Sequence, residues 1–166
     1  GFAFQRSTFL FWEKSTCIPL TPAISWQDSR ATIILDRFKE YEEKVWKITG
    51  APLSAHFGGP KFYHMVKNNK TLKEKAKSGE VYFGPLSAFI VHATTGHAAI
   101  DESIAGRTLM YDIHSGGWSQ FTLDLFDVPI DCLPPIKPVE YEYGNFLNSE
   151  IPLLAGNSKL VGGYPL

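Results

Sequence analysis

Apolar positions change rhythm several times along this chain, and each change predicts an element. Short apolar runs at residues 2–4 and 9–12 read as strands, separated by the polar Gln5-Arg6-Ser7-Thr8. Glu13-Lys14-Ser15-Thr16 is a polar turn, and residues 18–25 carry a further strand despite Pro19 and Pro22. From residue 29 to 48 the rhythm is helical. Ile33, Ile34, Phe38, Tyr41, Val45 and Trp46 recur at three- and four-residue steps with lysines and glutamates between, and Gly50 and Pro52 end the element. A helix is predicted over 61–68, with Pro60 near its first turn and Gly58-Gly59 as a turn before it. A lysine-rich helix over 71–77 closes at Gly79. A short strand at 81–83 and a buried helix at 86–93 follow, the latter ending near Gly96. Residues 101–108 read as loop with a helical turn, Gly116-Gly117 as a turn, and 119–126 as a helix stopped by Pro129. Beyond a proline-rich stretch, 151–155 resembles one more strand. There is no internal repeat. The pattern is α/β, with more helix than strand.

Composition narrows the functional classes. The chain has 166 residues, the size of one domain or most of one, and 44% apolar residues can build a real core. Net charge is −1 with both signs interspersed, so nothing supports a nucleic-acid partner. The longest uncharged stretch, 81–100, holds Gly84, Pro85, Ser87, His92, Thr94, Thr95, Gly96 and His97, which is too polar for a membrane span. Two distant cysteines, Cys17 and Cys132, lack metal spacing and default to reduced thiols in a cytoplasmic protein. The chain starts in an apolar run and stops without a closing element, which reads as a piece of a longer polypeptide.

The most informative stretch is Trp26-Gln27-Asp28-Ser29-Arg30, between the apolar run and the helix. An indole, an amide, a carboxylate and a guanidinium at the end of a buried strand suit a polyhydroxylated ligand, the indole stacking on C–H surface and the others bonding hydroxyls. The alternative is a strand end where Asp28 or Ser29 merely caps the next helix. Both readings stand. The five histidines show no metal-ligand spacing, and no Gly-x-Ser-x-Gly elbow or dinucleotide fingerprint occurs. His92 reads as a satisfied core histidine and His114 as structural. Asp101 and Asp112 read as turn caps that also fix Arg107.

Ordered blocks carry a resemblance. They are Phe4-Gln5-Arg6-Ser7-Thr8 with Trp12-Glu13, Trp26-Gln27-Asp28-Ser29-Arg30, Thr49-Gly50-Ala51-Pro52-Leu53, Pro60-Lys61 and the stretch 79–90. Thr95-Gly96, Asp101, Ala105, Arg107-Thr108-Leu109-Met110-Tyr111-Asp112-Ile113 and Trp118 follow, then Leu133-Pro134 and Tyr143-Gly144. In this order they resemble the FGGY carbohydrate kinases, nearest in spacing to the glycerol kinase branch, over essentially the whole chain. The resemblance implies a ribonuclease H-like, actin-like ATPase architecture. Residues 1–166 would form part of the N-terminal, sugar-binding lobe, the phosphate loop falling before Gly1 and the nucleotide lobe beyond Leu166. It implies ATP-dependent phosphorylation of a sugar or polyol by the intact protein, with Mg²⁺, and is compatible with a homo-oligomer. A non-catalytic sugar-binding or regulatory module derived from such a kinase is the alternative.

Carried over residue by residue, the resemblance makes Gln5, Arg6, Ser7, Trp26, Gln27, Asp28 and His56 substrate-binding. Trp26 and Arg6 are expected at two strand ends facing one cleft. Ser7 stands where the glycerol kinase pattern has an acid, and His56 where it has a tyrosine. Both changes point to a substrate other than glycerol, because a swapped hydrogen-bond partner alters discrimination strongly. Asn157, after Leu153-Leu154-Ala155-Gly156, falls where the family's catalytic aspartate is expected. An amide cannot take a hydroxyl proton, so either the base lies beyond Leu166 or general-base action is lost.

Overall fold

The computed structural model describes residues 3–147 and 158–162. Strand β1 (Phe9–Glu13) is buried almost end to end and pairs antiparallel with β2 (Val81–Pro85), Phe11 facing Phe83 across the ladder. Between them lie a 3₁₀ helix (Arg30–Tyr41), α1 (Glu42–Thr49), α2 (Gly58–Lys67) and α3 (Lys70–Lys77). After β2 come α4 (Leu86–Thr95), β3 (Ile100–Asp101), α5 (Glu102–Ala105), β4 (Tyr111–Asp112), β5 (Gly117–Trp118) and α6 (Gln120–Leu125). A short 3₁₀ turn, β6 (Ile136–Lys137), β7 (Glu142–Asn145) and β8 (Lys159–Val161) complete the described chain. β3 pairs parallel with β6, while β4 with β5 and β7 with β8 are antiparallel.

The two faces of β1 serve two cores. Phe9 and Phe11 alternate with Leu10 and Trp12, so side chains one residue apart point to opposite faces. Phe9 and Phe11 join Phe62, Phe83, Leu109, Leu123 and Phe126 in the larger cluster. Phe11 packs on Phe62 and Phe83, with ring centroids 5.4 and 4.8 Å away. Leu10 and Trp12 pack instead with Ala88, Ile100, Ile104 and Ala105.

Several sequence expectations need correction. Ala3 and Phe4 are not strand; the chain turns at Arg6-Ser7 before β1 begins. Residues 18–25 do not form a continuous strand either. Ile24 bridges Phe9 and Pro19 bridges Trp12, and in the gap the Phe11 amide donates to the Thr21 hydroxyl (3.1 Å). Pro19 and Pro22 carry no N–H, so a full ladder is denied them. The helix expected over 29–48 is wound as 3₁₀ up to Tyr41 and as α thereafter. β-branched Thr32, Ile33 and Ile34 make α-helical turns less favourable in its first part.

α2 starts three residues earlier than expected, and Gly58-Gly59 form its first turn. No side chain caps it. Instead the Gly58 and Gly59 amides donate to the Arg107 and Thr108 carbonyls at 3.3 and 2.7 Å, which satisfies donors a helix start leaves open. Glycine is required there by space: a Cβ on Gly59 would lie 2.3 Å from the Phe126 ring. Gly116, by contrast, is a turn, at φ 73° between β4 and β5. Asn69, Asp101 and Ser119 cap α3, α5 and α6 through their side chains. Residues 151–155 and Asn157 lie outside the described residues.

Candidate functional site

Four chain segments meet around one hollow of about 390 Å³, lined by Gln5, Arg6, Ser7, Trp26, His56, Phe57 and Arg107. Antiparallel geometry explains the first two. Because Ile24 bridges Phe9, the entry to β1 and the exit of the 18–25 segment lie side by side. Arg6 therefore sits at the start of a strand rather than its end, and Trp26 follows the opposing segment. Ser7 adopts φ 64° in the turn that brings Gln5 and Arg6 to the wall, and is itself buried. The other two segments are joined by the α2 start, whose amides are bonded to Arg107 and Thr108, so His56, Phe57 and Arg107 share a wall.

The Trp26 turn is held from beneath by Lys61, in the first turns of α2. This residue is only 2% exposed, and its ammonium donates to the carbonyls of Ser25 (2.8 Å) and Asp28 (3.1 Å). Burial pushes its pKa down, partly offset by the charge of Asp28. His56 holds the same turn from above, its Nδ1 lying 2.7 Å from the Trp26 carbonyl. A carbonyl only accepts, so Nδ1 carries the proton and Nε2 holds the lone pair of the neutral ring. Trp26 remains 43% exposed, its ring 6.2 Å from that of His56. A large aromatic left half-open beside polar groups is a stacking surface rather than core.

Gln27 and Asp28 are not part of this wall. The Asp28 carboxylate accepts from Arg30, through the backbone amide (3.0 Å) and the guanidinium (2.6–3.1 Å), which holds its pKa below the usual range. It shapes the turn, close to the capping alternative raised by the sequence. Arg107 lines the hollow although the sequence placed it in a structural role held by Asp101 and Asp112. Asp101 instead caps α5 at the Ile104 amide, and Asp112 accepts from the amides of His114 and Ser115. Phe57, Lys61 and Arg107 are the site residues missed from sequence. Only the last two had a signal, their place in the family blocks.

The electrostatics of the hollow are one-sided. No aspartate or glutamate lines it, and neither the Arg6 nor the Arg107 guanidinium has a hydrogen-bond or ion-pair partner among the described residues. A second hollow of about 490 Å³ contains His92, Lys14, Tyr82, Lys137, Tyr141 and Tyr143. Its cations are already engaged: Lys14 donates to the Asp131 carbonyl and lies 4.6 Å from the Tyr82 ring centre, and Lys137 lies 4.9 Å from that of Tyr141. His92 and His114 are structural, as expected, bonded to the Trp12 indole and the Lys47 carbonyl. Among the described residues no three His, Cys, Asp or Glu side chains gather to hold a metal ion. No helix of these residues is long and apolar enough to cross a membrane.

Comparison with known proteins agrees with this reading of the blocks. The chain is 35% identical over 166 residues to a glycerol kinase of Pseudothermotoga lettingae, covering 95% of the chain and 33% of that enzyme. It is 33% identical to a glycerol kinase of Enterococcus faecalis over 169 residues, 96% of the chain and 34% of the relative. Among solved structures, Plasmodium falciparum glycerol kinase with ADP superposes with a TM-score of 0.92 at 26% identity, over 98% of this chain and 33% of that one. Gluconate kinase from Lactobacillus acidophilus shares the fold at TM-score 0.80 and 20% identity, over 95% and 32%. The chain thus spans about a third of the length of these relatives, and its fold is the actin-like ATPase fold of the FGGY sugar kinases. Residues 1–160 match the N-terminal domain of the FGGY family of carbohydrate kinases, and to that family this chain belongs.

Proposed function

We propose that the intact protein transfers the γ-phosphoryl group of ATP to a hydroxyl of a sugar or polyol seated in the Trp26 hollow. The observation that carries this reading is the convergence of Gln5, Arg6, Ser7, Trp26 and His56 on one wall, five of the seven residues the family pattern assigned to substrate. Trp26 offers a flat apolar face to the carbon skeleton. Arg6 presents a rigid fork of donors to adjacent hydroxyl oxygens, and Gln5, Ser7 and the His56 Nε2 lone pair supply further polar contacts. Lys61 and Asp28 are positioning residues that hold the Trp26 turn. ATP supplies the phosphoryl group, and Mg²⁺ would neutralise its developing charge. The family pattern puts both in the nucleotide lobe of the intact protein, beyond Leu166.

Ser7 and His56 argue for a substrate other than glycerol, although the relatives compared bear that name. The test is ADP production by the full-length protein with a panel of polyols, aldoses, ketoses and sugar acids. Turnover of one panel member well above glycerol supports the reading. Binding without ADP formation favours the alternative, a sugar-binding module that has lost phosphoryl transfer. The 166-residue chain alone is expected to be inactive in the same assay.

A further inference from the structure

Resting on that reading of the hollow, we infer that the substrate carries an anionic group on its hydroxylated carbon chain, gripped by Arg6 and Arg107. Arg6 and Arg107 both line the hollow, and neither guanidinium is paired among the described residues. Among the described residues no acid lines the wall. The one carboxylate of the neighbouring turn, Asp28, is occupied by Arg30, and the Lys61 ammonium beneath that turn has only backbone carbonyls as direct partners. Ser7, at the position where the glycerol pattern places an acid, adds a neutral hydroxyl. The local balance is therefore cationic, with two fork-shaped donors exposed to whatever binds.

A neutral polyol would leave that charge uncompensated, because hydroxyl oxygens accept more weakly than ionised ones. Charge-assisted bonds are about twice as strong as neutral ones, and the guanidinium fork matches the two oxygens of a carboxylate or phosphate in plane. Trp26 takes the hydrocarbon part of such a ligand, and Gln5, Ser7 and His56 its hydroxyls. A volume of about 390 Å³ accommodates a small polyhydroxylated acid. Carboxylates and phosphate monoesters share this chemistry, so the experiment separates them. The competing assignment gives Arg107 to the transferred phosphoryl group instead of the substrate.

The experiment is calorimetric titration of the full-length protein with D-gluconate, glucose 6-phosphate and neutral D-glucitol, repeated with Ser7→Asp and Arg107→Gln. Aspartate is chosen because Ser7 occupies the left-handed region, which short polar residues tolerate. One anionic ligand is expected to bind at least about tenfold tighter than glucitol, the scale of a charge-assisted pair. Both substitutions should erase that preference, read as the ratio of anion to glucitol affinity within each variant. The winning anion identifies carboxylate or phosphate. Equal or tighter binding of glucitol, no binding of either anion, or a preference unchanged in Arg107→Gln overturns the inference. ADP formation with each ligand is read separately. Turnover of neutral sugars without anion preference would overturn this inference and leave the kinase reading intact, whereas anion-selective binding without any turnover would do the reverse.

Discussion

Two tryptophan–histidine pairs occupy this chain, and they do opposite things. Trp12 and His92 lie with ring centres 6.5 Å apart; Trp26 and His56 lie 6.2 Å apart. In the first pair the indole N–H of Trp12 donates to Nδ1 of His92 at 2.9 Å, and Trp12 is fully buried. In the second the histidine Nδ1 bonds the backbone of Trp26, and the indole stays 43% exposed. His92 is thus an acceptor at Nδ1 and His56 a donor there, so the two rings hold opposite tautomers. The same residue types make a core strut in one place and a wall of the candidate site in the other. The difference lies in what surrounds each indole. Trp12 has Tyr82 and Phe89 within 5.6 and 5.7 Å and packs with the Ala88–Ile104 cluster, whereas Trp26 follows an irregular segment and sits in a turn strapped by Lys61 and His56.

Truncation of the two indoles separates the pairs most sharply. Trp12→Ala is expected to lose about 3–5 kcal/mol of stability, the range for removing a fully buried large aromatic. Denaturant unfolding measures it, and a loss below about 1 kcal/mol would deny Trp12 its core role. Arg6→Ala should weaken ligand binding by about 1.5–3 kcal/mol, the value of a hydrogen bond to a charged group, with little change in unfolding. Calorimetric titration of the full-length protein decides this, and unchanged affinity would remove the hollow from consideration as the substrate site.

Lys61→Met keeps length and removes charge, leaving the Asp28 carbonyl without its ammonium donor and the Ser25 carbonyl with the Asp28 amide alone. A stability cost of about 1–3 kcal/mol is expected, together with weaker ligand binding through a loosened Trp26 turn. Wild-type affinity in this variant would show that the turn needs no strap. Trp26→Ala should weaken binding as well, at about 1 kcal/mol or less of stability because the ring is half in water.

The smallest effect is pH-dependent. Burial, with a lesser contribution from His97, lowers the His92 pKa. Protonation at Nδ1 would also break the Trp12 bond. A base whose folded pKa is lowered is protonated first in the unfolded state as pH falls. Stability is therefore complete above the ordinary histidine pKa and declines below it until the folded ring titrates too. Thermal unfolding between about pH 7 and pH 5 should show this decline, and His92→Phe should flatten it. The lowered carboxylates Glu13, Asp28, Glu43 and Asp112 lose their contributions only at lower pH, as it falls through and below their ordinary range. An identical slope in His92→Phe would place the titration elsewhere.

Much of the secondary structure was legible because periodicity reports burial directly. The α4 helix with its Gly96 stop, the α6 helix ahead of Pro129 and the apolar run of β1 all follow local rules. The family pattern also singled out Gln5, Arg6, Ser7, Trp26 and His56, which the fold gathers around one hollow. Local rules failed where a backbone partner came from far along the chain. The start of α2 has no capping side chain because its amides bond residues 107 and 108, so sequence reasoning began it too late. The short pairs β3–β6 and β7–β8 were invisible, since two- to four-residue strands carry no periodic signal and are fixed only by their partners.

By itself, then, the sequence determined the short apolar strand and most of the helical segments, and the family to which the ordered blocks point. Tertiary structure alone decided which tryptophan is core and which is wall, and that Arg107 shares one hollow with Arg6. Those are matters of distance between residues some twenty to a hundred positions apart, which no local periodicity encodes. They are settled only when Ile24 meets Phe9 and the α2 amides meet the carbonyls of Arg107 and Thr108.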